Sequence, residues 1–214
     1  MTITFHPELE SLMSCSAGSM PEAFAAVMAA HITVCPQCQK DLALMQDIGV
    51  ALFEKLPSTA VTSDAPVMAL RASEADSDTE IAFKTEGDVP EPLAPVIGHH
   101  LDALDWTRVA PGVWQHPIAL KDPARGQLRL IKVAPGMALP EHSHNGSELT
   151  LILKGSYRDK TGHYCVGDVA DMTDDAKHSP VADPVEGCIC LAANDGKMNF
   201  KGLVAKLIQP FTGF

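Results

Sequence analysis

The chain has no run of about 18 consecutive apolar residues, the least a membrane-spanning helix needs, so no membrane contact is expected. Its amino terminus has no basic stretch followed by an apolar core, so no secretory signal is expected and the protein is placed in the cytoplasm. Basic residues are scarce: 16 Lys and Arg stand against 27 Asp and Glu, a net charge of −11. Phosphate backbones require a basic surface, so direct binding to nucleic acid is not expected. Aromatic residues are also few, at 5%, while methionine is plentiful at nine. The apolar fraction of 46% over 214 residues is ordinary for one large or two small soluble domains.

The acid is unevenly placed. Residues 1–95 hold fourteen of the 27 acidic residues but only four of the 16 Lys and Arg. Such a face suits a basic partner, although a solubilising excess of acid accounts for the same numbers. The six cysteines, in a reducing compartment, point to metal binding or redox chemistry before structural disulfides.

Residues 1–56 read as a helical unit. A pattern through Leu9, Leu12 and Met13 stops at Gly18. Ser19 and Glu22 have the spacing of a capping box, in which each side chain accepts from the other's amide. The next helix carries Phe24, Val27, Met28 and His31 on one face. Pro36 lacks an amide donor and would clash inside a helix, so one helix is predicted to end near Val34 and a third to begin near Pro36. That third helix runs through Leu42, Met45, Leu52 and Leu56 to Pro57, and Met13, Met28 and Met45 are expected in the core. Across the junction stand His31, Cys35 and Cys38 as H-x3-C-x2-C. This spacing is typical of structural zinc sites, and a metal would help to stabilise a unit with so little core. No βαβ pattern surrounds the cysteines, which weighs against a thioredoxin-like redox pair. A closed site needs a fourth ligand, for which His6 and Cys15 are the candidates.

Residues 57–95 have linker composition: five prolines among Ser, Thr, Asp and Glu. An apolar island at 67–70, with Asp64 as a cap, predicts a short fourth helix near 64–73, and residues 74–80 are expected to be a mobile hinge. From residue 96 the period changes to strands, at 106–109, 113–116, 128–133, 149–153, 164–166, 188–192 and 203–208. Many short strands bounded by Gly, Pro or Asp indicate an all-β barrel or sandwich.

Within that part, residues 136–155 place His142, His144 and Glu148 as H-x-H-x3-E. Strand residues two apart share a side, so the two histidines offer both imidazoles to one ion. Glu148 opens the next strand after a turn at Asn145 and Gly146, and His178 is a fourth candidate. Three imidazoles and a carboxylate suit zinc, iron, manganese or nickel alike. Cys188 and Cys190 share one side of a strand. They are either small buried residues or, facing inward, sulfurs close to the metal.

The pattern G-x5-H-x-H-x3-E-x6-G from Gly136 to Gly155 resembles the first cupin motif at every spacing. Gly167 and Asp168 followed by His178 resemble the second, with Ala182 where many cupins carry asparagine. An H-x3-C-x2-C helical unit followed by a cupin resembles the ChrR-type anti-sigma factors, over essentially the whole chain. The resemblance implies two domains: an N-terminal all-α helical bundle with a zinc site at 1–56, and a C-terminal all-β cupin (double-stranded β-helix, or jelly roll) at 96–214. They would be joined by an acidic linker at 57–95. It implies zinc at His6, His31, Cys35 and Cys38. A second zinc, or another divalent transition metal, would lie at His142, His144, Glu148 and His178. It implies an extracytoplasmic-function sigma factor as partner, released on a singlet-oxygen or peroxide signal that requires the cupin. It implies no catalytic role. The competing expectation is a cupin dioxygenase or isomerase with a helical oligomerisation domain, for which Tyr157, Tyr164 and Arg129 stand at no diagnostic spacing. A small-molecule-binding regulator is a third.

Overall fold

Among the described residues, four α-helices precede the strands. The structure, a computed structural model, describes residues 2–58, 87–173, 177–196 and 198–200, with the side chains of His144 and residues 198–200 outside the description. The helix expected at 64–73, the hinge at 74–80 and the strand at 203–208 lie outside the described residues.

Helix α1, Leu9–Ser16, begins where the amide of Glu8 donates to Asp171 Oδ2 at 3.0 Å. It ends at Gly18, whose φ of +65° suits a residue without a Cβ. Helix α2, Glu22–Ile32, is not started by a capping box. Pro21 occupies the cap position, Ser19 Oγ lies 3.1 Å from Ser14 Oγ, and the Glu22 carboxylate accepts instead from the amides of Lys121 and Asp122 in the strand half. Helix α3, Pro36–Phe53, has its proline in the first turn, as its missing amide requires, and stops before Pro57.

The apolar stripe of α3 is largely exposed, although Met45 packs half-buried against the core. Cys38 alone is buried along α3, while Leu52, Leu56 and Met13 are 60%, 64% and 56% exposed. The reason is length. At 1.5 Å per residue, eight-residue α1 spans about 12 Å against about 27 Å for 18-residue α3, so it covers less than half of that face.

After a short helix α4, Ala94–Ile97, the chain forms β1 (Thr107–Ala110), β2 (Val113–Ile118), β3 (Gln127–Val133), β4 (His142–His144), β5 (Glu148–Arg158), β6 (His163–Cys165), β7 (Val169–Met172), β8 (Val181–Ala182), β9 (Cys188–Asn194) and β10 (Met198–Phe200). All pairings are antiparallel, in the order β1-β2-β3-β9-β5. Strand β5 is shared: its first half lies between β9 and β7, and beyond a bulge at 152–154 its end lies between β6 and β8. That sharing bends the sheet around an interior. Gly155, in the bend, has φ +68°, and a Cβ there would meet Gly187 O at 2.1 Å.

Both faces of this sheet are covered. Leu128, Leu130, Leu149, Leu151, Leu191 and Ala193 share one core with Leu12, Phe24, Val27 and Met28 of the helices. Ile131, Val133, Ile152, Cys188, Cys190 and Ala192 alternate with them and face the interior with Tyr157 and Ala182. The buried residues of α2 thus pack on the outer face of β3, β9 and β5, and the helical and strand halves share a single apolar layer.

Candidate metal centres

The α2–α3 junction builds the first centre. His31 sits on the last turn of α2, Cys35 caps α3 and Cys38 lies one turn on, while the extended segment before α1 brings His6 to them. His31 Nε2 is 3.3 Å from Cys38 Sγ, and His6 Nδ1 is 3.3 and 3.4 Å from Cys35 Sγ and Cys38 Sγ. Zinc holds sulfur at ~2.3 Å and nitrogen at ~2.0–2.1 Å, so the N···S edge of a zinc tetrahedron is roughly 3.5 Å. The donor set and its edges therefore fit such an ion. Cys15, the other candidate ligand, is half-buried against the core and is not in the cluster.

Protonation is consistent with this. His31 Nδ1 lies 2.9 Å from the carbonyl of Gly167, which only accepts, so Nδ1 carries the proton and the Nε2 lone pair faces the sulfurs. Burial lowers the His31 pKa to about 4, which keeps the ring neutral. Burial, with Cys35 alongside, pushes the Cys38 thiol up to about 12, and a bound dication reverses that preference by stabilising the thiolate.

The second centre lies inside the barrel, where His142, Glu148 and His178 are all buried. His142 and His178 face one another across an antiparallel bridge, their Nε2 atoms 2.8 Å apart. His142 Nδ1 donates to the Pro140 carbonyl at 2.8 Å and His178 Nδ1 to Asp159 Oδ2 at 3.1 Å, so both Nε2 lone pairs converge. Nitrogens ~2.1 Å from one ion are roughly 2.9 Å apart at octahedral and 3.4 Å at tetrahedral angles, so the pair is close to ligand spacing. Glu148 Oε1 accepts from Thr150 Oγ1 at 3.1 Å. Burial raises the Glu148 pKa, opposed by His142, Thr150 and Arg129. The backbone of His144 pairs with Met198 on β10, and its side chain lies outside the described residues.

Cys188 and Cys190 face inward and line a cavity of about 60 Å³ with His142, Glu148, Tyr157 and His178. Contact with Cys188 and burial hold the Cys190 thiol well above its ordinary pKa. Cys165, on β6, is half-buried. Tyr157 lines the cavity, Tyr164 stands behind it, and buried Arg129 donates to Gln115 and Gln127. Three supporting groups had no assigned role in the sequence: Asp159 behind His178, the Gly167 carbonyl behind His31, and Thr150. The turn of residues 159–162 carried the only signal for Asp159, since its carboxylate caps the amides of Thr161 and Gly162.

A family model described as the ChrR cupin-like domain matches residues 96–198. The anti-sigma-E factor ChrR of Cereibacter sphaeroides is 34% identical over 218 residues, which cover 99% of each chain. The chain belongs to the ChrR family of anti-sigma factors. A solved member of the family, Rhodobacter sphaeroides ChrR in complex with SigE, is 32% identical with a TM-score of 0.75, over 91% of this chain and all of that one. Family membership thus spans both the helical cluster and the barrel, and no described helix is long and apolar enough to cross a membrane.

Proposed function

We propose that this chain is an anti-sigma factor that sequesters an extracytoplasmic-function sigma factor in the cytoplasm and releases it on a stress signal. The observation that carries this is the whole-length relationship to a protein crystallised with a sigma factor. The exposed apolar face of α1 and α3 supplies the surface: Leu9, Met13, Leu44, Ile48 and Leu52 line a groove of about 840 Å³. Apolar residues gathered on an acidic half-chain suit a basic partner with an apolar anchor.

In this reading His6, His31, Cys35 and Cys38 hold a structural zinc that fixes α2 against α3 and so shapes the groove. His142, His144, Glu148 and His178 hold a second divalent ion, zinc or another transition metal. Sequestration requires no bond to be broken, because the sigma factor is kept from polymerase by occlusion. Release by singlet oxygen or peroxide is what the family resemblance implies. Cys188 and Cys190 place oxidisable sulfur beside the barrel centre. The oxygenase or isomerase reading has less support: about 60 Å³ holds an ion and a water or two, whereas organic ligands occupy pockets of roughly 300–1,000 Å³. The test is calorimetric titration of the cognate sigma factor into the full chain. Tight stoichiometric binding is expected, weakened by Met13→Asp or Ile48→Asp. Equal binding by these variants would remove the groove from the interface.

A further inference from the structure

The segment ahead of α1 bridges the two centres. His6 belongs to the helical cluster. Phe5, beside it, packs on Tyr164 with ring centroids 4.3 Å apart, and Tyr164 stacks on Tyr157 at 4.8 Å. Tyr157 lines the barrel cavity with His142, Glu148 and His178. A hydrogen-bonded chain runs beside the rings. His178 Nδ1 and the Thr161 hydroxyl both donate to Asp159, and the Tyr164 hydroxyl lies 3.0 Å from that of Thr161.

The backbone of the segment is tied to the same turn. Asp168 Oδ1 accepts from the amides of Thr4 and Phe5 at 2.7 and 3.0 Å, and Oδ2 accepts from Cys165 at 2.8 Å. The Phe5 carbonyl accepts from Val169, and the Glu8 amide donates to Asp171. Asp168 is 2% exposed, and a carboxylate so buried is costly unless its oxygens are matched by donors. Two of its three donors come from the strap and none from the cavity. The adjacent Gly167 carbonyl receives the proton of His31. The turns leave room for the segment: a Cβ on Gly162 would lie 2.5 Å from Phe5 Cζ, and one on Gly167 would lie 2.9 Å from Ile3 Cγ1.

We propose that residues 3–8 are a coupling strap: Asp168 and Tyr164 of the barrel hold Phe5, and through it His6, in the helical centre, and they do so more firmly when the barrel centre holds its metal. Asp168 and Tyr164 are positioning residues, since neither touches the cavity. The coupling rests on reading both clusters as metal centres. His178 is the common member: its Nδ1 anchors Asp159, and with it Thr161 and Tyr164, while its Nε2 faces the barrel centre. Ordering His178 orders the shelf under Phe5. By linkage, zinc at the helical centre tightens the barrel centre by the same factor.

The test is amide hydrogen exchange over residues 3–8 in the full-length zinc-loaded chain, compared with the His142→Ala chain whose barrel centre is emptied. Zinc content and the rate of zinc transfer from the thiolate centre to a chelator are measured in parallel. The amides of Thr4 and Phe5 are expected to exchange about tenfold faster or more in the emptied chain, as loosening of charge-assisted hydrogen bonds implies, and zinc transfer is expected to accelerate with them. Asp168→Asn should exchange fast whether or not the barrel is loaded. Should that variant fail to fold, Gly162→Ala, which alters no ligand or charge and presses only on Phe5, decides. Faster exchange over residues 3–8 supports the strap, and wild-type exchange overturns it. Equal exchange in the loaded and emptied chains also overturns the strap, alone. A wild-type chain that takes up zinc at neither centre overturns the metal reading and the strap with it.

Discussion

Replacing Cys38 by Ser should change both the strength and the pH dependence of zinc binding at the helical centre. Four donors meet there with N···S edges of 3.3–3.4 Å. Structural zinc sites bind with about 10–16 kcal/mol, so an equal share for one of four ligands is roughly 3 kcal/mol, or about a hundredfold in affinity. With zinc in excess, that loss lowers the stability of the folded chain by about 2.7 kcal/mol. The pH dependence follows from the protons released. Cys38, pushed up to about 12, must lose a proton to bind. His31, lowered to about 4, is already neutral above pH 5 and releases none. Between pH 7 and 8, therefore, the rise in zinc affinity should be about one power of ten steeper in the wild type than in Cys38→Ser. The assay is competition against a chromophoric chelator across that range. An unchanged affinity with an unchanged slope would refute the site.

Asp159→Asn should loosen His178 and weaken metal binding in the barrel by about 10–100-fold, measured by equilibrium dialysis of the zinc-loaded chain, while the helical zinc is retained. Glu148, whose pKa is raised in the folded state, binds its proton more tightly folded than unfolded. The metal-free chain should therefore lose stability as pH rises above the unfolded carboxylate pKa toward the folded one. Glu148→Gln should remove that loss, so its Tm advantage over wild type in chelator should grow from pH 5 to pH 8. No difference at either pH would contradict a buried, proton-binding Glu148. Ile48→Asp places a charge where a partner would cover an apolar side chain 53% exposed in the free chain, and it should weaken sigma binding by about tenfold or more without altering zinc content. Fluorescence anisotropy of labelled sigma factor, with zinc assayed alongside, checks both.

The helical cluster was legible because converging donors impose a local spacing, and H-x3-C-x2-C spans one helix junction. His6 was not separable from Cys15 by spacing, because what brings it in is the distant Asp168, 163 or more residues away along the chain from its hydrogen-bond partners. The docking of α2 on the sheet was written in β9, where all seven residues are buried, as befits a strand covered on both faces rather than one. The capping box failed because Glu22 found amides outside its own helix. The period of the α3 stripe could not tell surface from core, because an exposed apolar face and a core face obey the same 3.6-residue period. Only the short reach of α1 distinguishes them.

Sequestration is tested most directly by titrating the cognate extracytoplasmic-function sigma factor into the intact chain, zinc-loaded and zinc-stripped, and reading complex formation by calorimetry. The loaded chain should bind one sigma factor tightly, and stripping zinc should weaken binding by about a hundredfold as α2 and α3 lose their common anchor. A loaded chain that binds no sigma factor would contradict the anti-sigma function itself.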